Sequence, residues 1–106
     1  MVSPAGSSAA GNGSEGIEIA RKVQLRNPAG LHARPCHAIA RTAAGFESEL
    51  RIRCGGLEVN GRSILELMTL CAPCHCELEL RARGKDAQEL IEKLAKIVED
   101  GFDEME

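Results

Sequence analysis

Aromatic side chains are almost missing: 106 residues hold two Phe and neither Trp nor Tyr. A hydrophobic core must therefore be built from Leu, Ile, Val and Ala, which one domain of this size can supply. The same lack removes the stacking surface that holds single-stranded nucleic acid. A strong charge bias is also lacking. Thirteen Lys/Arg against 16 Asp/Glu give −3, which does not suit a nucleic-acid binder. No apolar run approaches the roughly 20 residues of a membrane span, and no basic, hydrophobic leader is present. Gly84-Lys85 lacks the rest of a P-loop, and neither a G-x-S-x-G nor an EF-hand loop occurs. The expectation is a cytoplasmic monomer that binds no nucleic acid, needs no cofactor and does not insert into membranes.

The charge that is present is unevenly spread. Residues 17–85 carry 11 basic against 7 acidic side chains, and residues 86–106 carry 2 against 8. A locally basic body suits an acidic partner or an anionic group. Five cysteines are an odd number, which speaks against a disulfide framework. They are expected to be reduced and to hold no metal. Residues 1–16, rich in Gly, Ser and Ala without apolar periodicity, read as a disordered leader outside the fold.

From Ile17 the pattern becomes regular. Residues 17–25 alternate as a first strand, and Asn27-Pro28-Ala29-Gly30 is a turn cluster. Residues 35–44 are small and apolar, with Pro35 in a first helical turn and Gly45 as a C-cap. Leu50-Arg51-Ile52-Arg53-Cys54 alternates, Gly55-Gly56 turns, and Leu57-Glu58-Val59 resumes, as in a hairpin. Ser63-Ile64-Leu65-Glu66 has the S-x-x-E form of a capping box and opens a short helix to about Leu70. Residues 76–82 form a fourth alternating strand. Asp86 then caps a long helix with Leu90, Ile91, Leu94, Ile97 and Val98 on one face. The order βαββαβα predicts an α+β open-faced sandwich: a four-stranded antiparallel sheet, one face covered by three helices and the other left to solvent.

Chemistry concentrates in Gly30-Leu31-His32-Ala33-Arg34-Pro35. His32 stands where a helix begins, and the first-turn N–H groups there have no intrahelical acceptors. An anion bonded to His32 would meet those N–H groups, the positive end of the helix dipole and the Arg34 guanidinium. The same field favours a neutral, nucleophilic imidazole over imidazolium. That suits a phosphoryl acceptor. The plain alternative is a capping histidine beside a solvated arginine.

The stretch Asn27-Pro28-Ala29-Gly30-Leu31-His32-Ala33-Arg34-Pro35 resembles the active-site signature of HPr, the histidine-containing phosphocarrier family of the bacterial phosphotransferase system. The likeness continues through Gly45-Phe46, the segment from Asn60 to Leu70 and the last helix, making residues 17–106 the HPr-like domain. The resemblance implies a carrier rather than an enzyme, phosphorylated on His32 through Nδ1, with Arg34 stabilising the phosphate. Phospho-enzyme I would be the donor, and A-type components of enzyme II the acceptors, in sugar uptake or its regulation. Ser63 falls on the family's regulatory serine, which implies an HPr kinase/phosphorylase as a further partner. Ile64, Leu65 and Met68 fall on the apolar patch that docks enzyme I and the kinase. Against that patch stands ordinary inward packing, although Leu67 and Leu70 can supply the inward face.

Two features depart from the family pattern. One is Cys36-His37 together with Cys71-Ala72-Pro73-Cys74-His75-Cys76, where small residues are usual at positions 36 and 71. Two thiols near His32 could oxidise each other, so Cys36 and Cys71 are the pair to watch. The Cys71-x-x-Cys74 spacing also supports a rival from another class, a small metal-binding or redox module on an HPr-like scaffold. One such pair without a second is a weak zinc signal. The other departure is the ending Glu99-Asp100-Gly101-Phe102-Asp103-Glu104, which resembles the nitrogen-related branch and leaves the choice between branches open.

Overall fold

The computed structural model describes residues 17–103, so the expected leader at 1–16 lies outside the described residues. The elements are β1 (Glu18–Gln24), α1 (Ala33–Ala43), β2 (Glu49–Cys54), β3 (Leu57–Asn60), α2 (Ile64–Met68), β4 (Glu77–Arg83) and α3 (Ala87–Glu99). All pairings are antiparallel and the strand order is β1-β4-β2-β3. The predicted open-faced sandwich is therefore present. No helix among the described residues is long and apolar enough to cross a membrane.

Strand alternation builds the layer. Val23, Leu50, Ile52, Val59, Leu78, Leu80 and Ala82 face the helices and are buried, together with Ile39, Ala43 and Leu67 from α1 and α2. The long helix α3 adds Leu90, Ile91, Leu94, Ala95 and Val98, while Ile97 is only half-buried at the rim. Burying each large aliphatic side chain contributes about 1.5–3 kcal/mol. On the open face, ion pairs link neighbouring strands, Arg81 with Glu18, Arg53 with Glu79 and Arg51 with Glu58, and one joins Arg81 to Glu79 within β4, all at 3.3–3.8 Å. Exposed pairs of this kind are each worth about 0–1 kcal/mol. Their effect is to balance charge, so the basic excess of residues 17–85 does not gather on the sheet.

The Gly55-Gly56 hairpin forms as expected, with Gly55 at φ +62° and Cys54 opposite Leu57. Two helix ends differ from expectation. Gly45 does not take a positive φ; α1 ends at Ala44 in right-handed geometry. The last carbonyls are met instead by Gly45 N–H on Thr42 O, by Phe46 N–H on Ala43 O, and by a guanidinium. Arg62 Nη1 donates to Ala43 O, Phe46 O and Ser48 O at 2.9, 2.9 and 3.1 Å. Asp86 occupies the N-cap of α3, yet its side chain does not cap that helix. Its carboxylate accepts from Glu47 N–H at 2.9 Å, from Ser48 N–H at 3.0 Å and from the Ser48 hydroxyl, tying the start of α3 to the start of β2.

Candidate functional site

The site begins with a tight turn. Gly30 N–H donates to Asn27 O at 3.0 Å, and the buried Asn27 side chain returns a bond from Nδ2 to Gly30 O at 2.7 Å. Gly30 has φ +68°, and a β-carbon on it would collide with the Ala72 carbonyl oxygen. Leu31 N–H donates to that same oxygen at 2.8 Å. Residues 71–76 thus lie along residues 25–31, held also by Leu25 N–H on Cys76 O and His75 N–H on Leu25 O. Cys71 and His75 both take positive φ to follow this course.

From the turn, the chain enters α1 with His32 as the N-cap residue, extended at φ −125° and ψ −168°. Its carbonyl accepts Cys36 N–H at 3.0 Å, the first hydrogen bond of the helix. His32 is half-buried and Arg34 is exposed, whereas Pro35 and Cys36 turn into the core. The first turn of α1 carries no acidic residue, while those of α2 and α3 carry Glu66 and Glu89. The positive end of the α1 dipole is therefore not offset by a carboxylate in its own first turn, and Arg34 adds to it. A bound dianion is what this arrangement suits.

Helix α2 runs back beside α1. Arg62, just before it, reaches the C-terminal end of α1, and Ala72, shortly after it, holds Leu31 at the N-terminal end. Ser63 thus sits toward the far end of the helix pair from His32, and Met68 toward the near end. Leu65 is 79 % exposed and Met68 41 %, Ile64 is half-buried, and Leu67 and Leu70 face the core. Ser63 Oγ accepts Glu66 N–H at 3.2 Å, which is one half of the expected capping box. The other half is redirected: Glu66 Oε1 accepts Asn60 N–H at 2.9 Å, because Ser63 N–H is already given to Asn60 O.

The cysteines are not grouped as the spacing suggested. Cys36 is fully buried, and burial pushes its thiol up from the usual value. Cys71 is exposed and points at Met68 O, while Cys74 points at Arg26 O. Among the described residues no three of His, Cys, Asp and Glu stand together as a metal-holding group. The two sulfurs in contact are instead those of Cys54 and Cys76. Strand alternation alone could not have paired them, since their sequence separation is 22. Arg62 is likewise a residue that no local pattern marks.

The family described as "PTS HPr component phosphorylation site" matches residues 19–100. The phosphocarrier protein HPr of Chlamydia muridarum is 32% identical over 94 residues, covering 89% of this chain and 90% of the relative. The crystal structure of HPr-C-His from Thermoanaerobacter tengcongensis superposes with a TM-score of 0.79 at 31% identity, covering 83% of this chain and 99% of that one. That of Crh, a catabolite-repression protein of Bacillus subtilis described as a domain-swapped dimer, has a TM-score of 0.64 at 38% identity, with 76% and 93% covered.

Proposed function

This chain belongs to the HPr family, whose members are phosphocarriers of the phosphotransferase system and not enzymes; we propose that it carries its phosphoryl group on His32. The observation that supports this reading is the half-buried His32 at the N-cap of α1, the one helix among the described residues whose first turn pairs a guanidinium, Arg34, with no acid. Phospho-enzyme I is the donor. Nδ1 of His32 attacks phosphorus, a P–N bond forms, and the donor's bond to phosphorus breaks. The helix N-terminus and Arg34 hold the phosphate charge until an enzyme II component of A type accepts the group.

Docking falls to Leu65 and Met68, with Ile64 beside them, because they leave an apolar surface uncovered next to this helix start. Such a small contact suits a partner that must come and go. Ser63 is the regulatory position, where an HPr kinase/phosphorylase would add a charge of about −2 beside that surface. The setting is the cytoplasm, and the protein acts there as a monomer, although Crh forms a swapped dimer.

The test is incubation with phosphoenolpyruvate and a bacterial enzyme I. One acid-labile, base-stable phosphate should appear, and His32→Ala should abolish it with an unchanged circular dichroism spectrum. Label that survives His32→Ala places the phosphate elsewhere.

A further inference from the structure

Cys54 closes β2 and Cys76 immediately precedes β4, the neighbouring antiparallel strand. The register sets Arg53 opposite Glu79, so Cys54 and Cys76 lie diagonally on the same face of the sheet, both half-buried at the edge of the core. Their Sγ atoms are 2.6 Å apart, closer than two unbonded sulfurs rest. A disulfide bond of about 2.05 Å requires the sulfurs to approach by only about half an ångström more. We propose that Cys54 and Cys76 are a modification site, a cross-strand dithiol that closes reversibly to a disulfide by exchange with a low-molecular-weight disulfide.

The exchange balances in two steps. The Cys76 thiolate attacks one sulfur of the small disulfide RSSR, forming a mixed disulfide and releasing RS⁻. The Cys54 thiolate then attacks the Cys76 sulfur, closing the protein disulfide and releasing the second RS⁻. The protein loses two electrons and the two thiol protons, and RSSR leaves as two RSH. The order follows from the surroundings. Burial first, then the hydrogen bond and charge of Cys76, push the Cys54 thiol up to about 11, so Cys54 does not initiate at neutral pH. Once Cys76 is capped, its hydrogen bond and charge no longer oppose ionisation of Cys54.

The bond would tie the end of β2 to the root of the segment 71–76. That segment holds Leu31 through Ala72 O and Leu25 through Cys76 O and His75 N–H. The remaining three thiols lack a comparable neighbour: Cys36 is buried in the core, and Cys71 and Cys74 face separate backbone carbonyls. Closure to a protein disulfide is therefore selective for this pair, whereas a thiol without a partner stops at the mixed disulfide.

Wild-type protein equilibrated with excess oxidised glutathione, unfolded, alkylated with iodoacetamide and digested should yield one linked peptide pair joining Cys54 to Cys76. No other protein disulfide should form: the buried Cys36 should be alkylated, and Cys71 and Cys74, without a partner thiol, should be alkylated or carry glutathione. Dithiothreitol should restore five alkylated thiols. Cys54→Ser should stop at a glutathione adduct on Cys76. Five alkylated thiols after glutathione treatment, a link between any other pair, or a glutathione adduct persisting on Cys54 or Cys76 of the wild-type protein would each overturn the proposal. The readout is a thiol map, so it does not depend on phosphoryl transfer.

Discussion

Gly30 and Ala72 meet so closely that the Ala72 carbonyl oxygen blocks the place of a side chain at position 30, while accepting the N–H of Leu31 at 2.8 Å. This contact fixes the angle at which the chain turns into α1 and so positions His32. It also explains the glycine twice over, since φ at Gly30 is +68°.

Gly30→Ala should accordingly be costly on both counts. A left-handed alanine with a backbone collision is expected to lose about 1–3 kcal/mol. Urea unfolding should show the loss, and phosphorylation of His32 should slow beyond what the unfolded fraction explains. Stability equal to wild type would mean that the turn adapts without strain.

Neighbours on α2 should part company. Leu65 is 79 % exposed, so Leu65→Glu should change stability by no more than about 0.5 kcal/mol. Phosphoryl transfer from enzyme I should nevertheless fall, because a charge then stands in the docking surface. Leu67 is fully buried, and Leu67→Ala should cost about 2–5 kcal/mol. Equal transfer rates for Leu65→Glu and wild type would remove α2 from the docking face.

Ser63 can be divided into its two roles by two substitutions. Ser63→Ala loses the bond from Glu66 N–H and should cost about 1 kcal/mol in urea unfolding. Ser63→Asp keeps a good cap and adds a charge, so stability should hold while transfer to His32 declines. A Ser63→Asp protein that accepts phosphate at the wild-type rate would leave Ser63 as a cap alone.

Acid should loosen the join between α3 and β2. The Asp86 carboxyl is held below its ordinary value of 3.8 by the Ser48 hydroxyl first and then by the Glu47 N–H. A carboxyl depressed in the folded state stabilises the protein above its unfolded value, and that stabilisation disappears as pH falls through the folded one. The Tm difference between wild type and Asp86→Asn should therefore be full at pH 6 and shrink below about pH 4. A difference that stays constant down to pH 2.5 would contradict the role assigned to this carboxylate.

Residue order alone determined the parts of this protein whose physics is local. Two-residue and 3.6-residue periodicities placed four strands and three helices. Gly55-Gly56 turned the hairpin, Ser63 capped α2, and the stretch from Asn27 to Pro35 set a histidine and an arginine at a helix start. Each depends on groups a few residues apart, which any folded form of the chain keeps together. The tertiary structure decided where long-range partners go. Asp86 left its own helix because Glu47, Ser48 and the Ser48 hydroxyl together offer three donors to its two oxygens. Gly45 was not needed as a left-handed cap because Arg62 arrives from another loop to take the Ala43 carbonyl. Cys54 met Cys76, rather than Cys36 meeting Cys71, because β2 pairs with β4 and their shared face carries both sulfurs. Leu65 and Met68 stayed outside because Leu67 and Leu70 already fill the space that α2 covers. Side chains choose among distant backbone and side-chain groups only after the sheet order β1-β4-β2-β3 has brought those groups together.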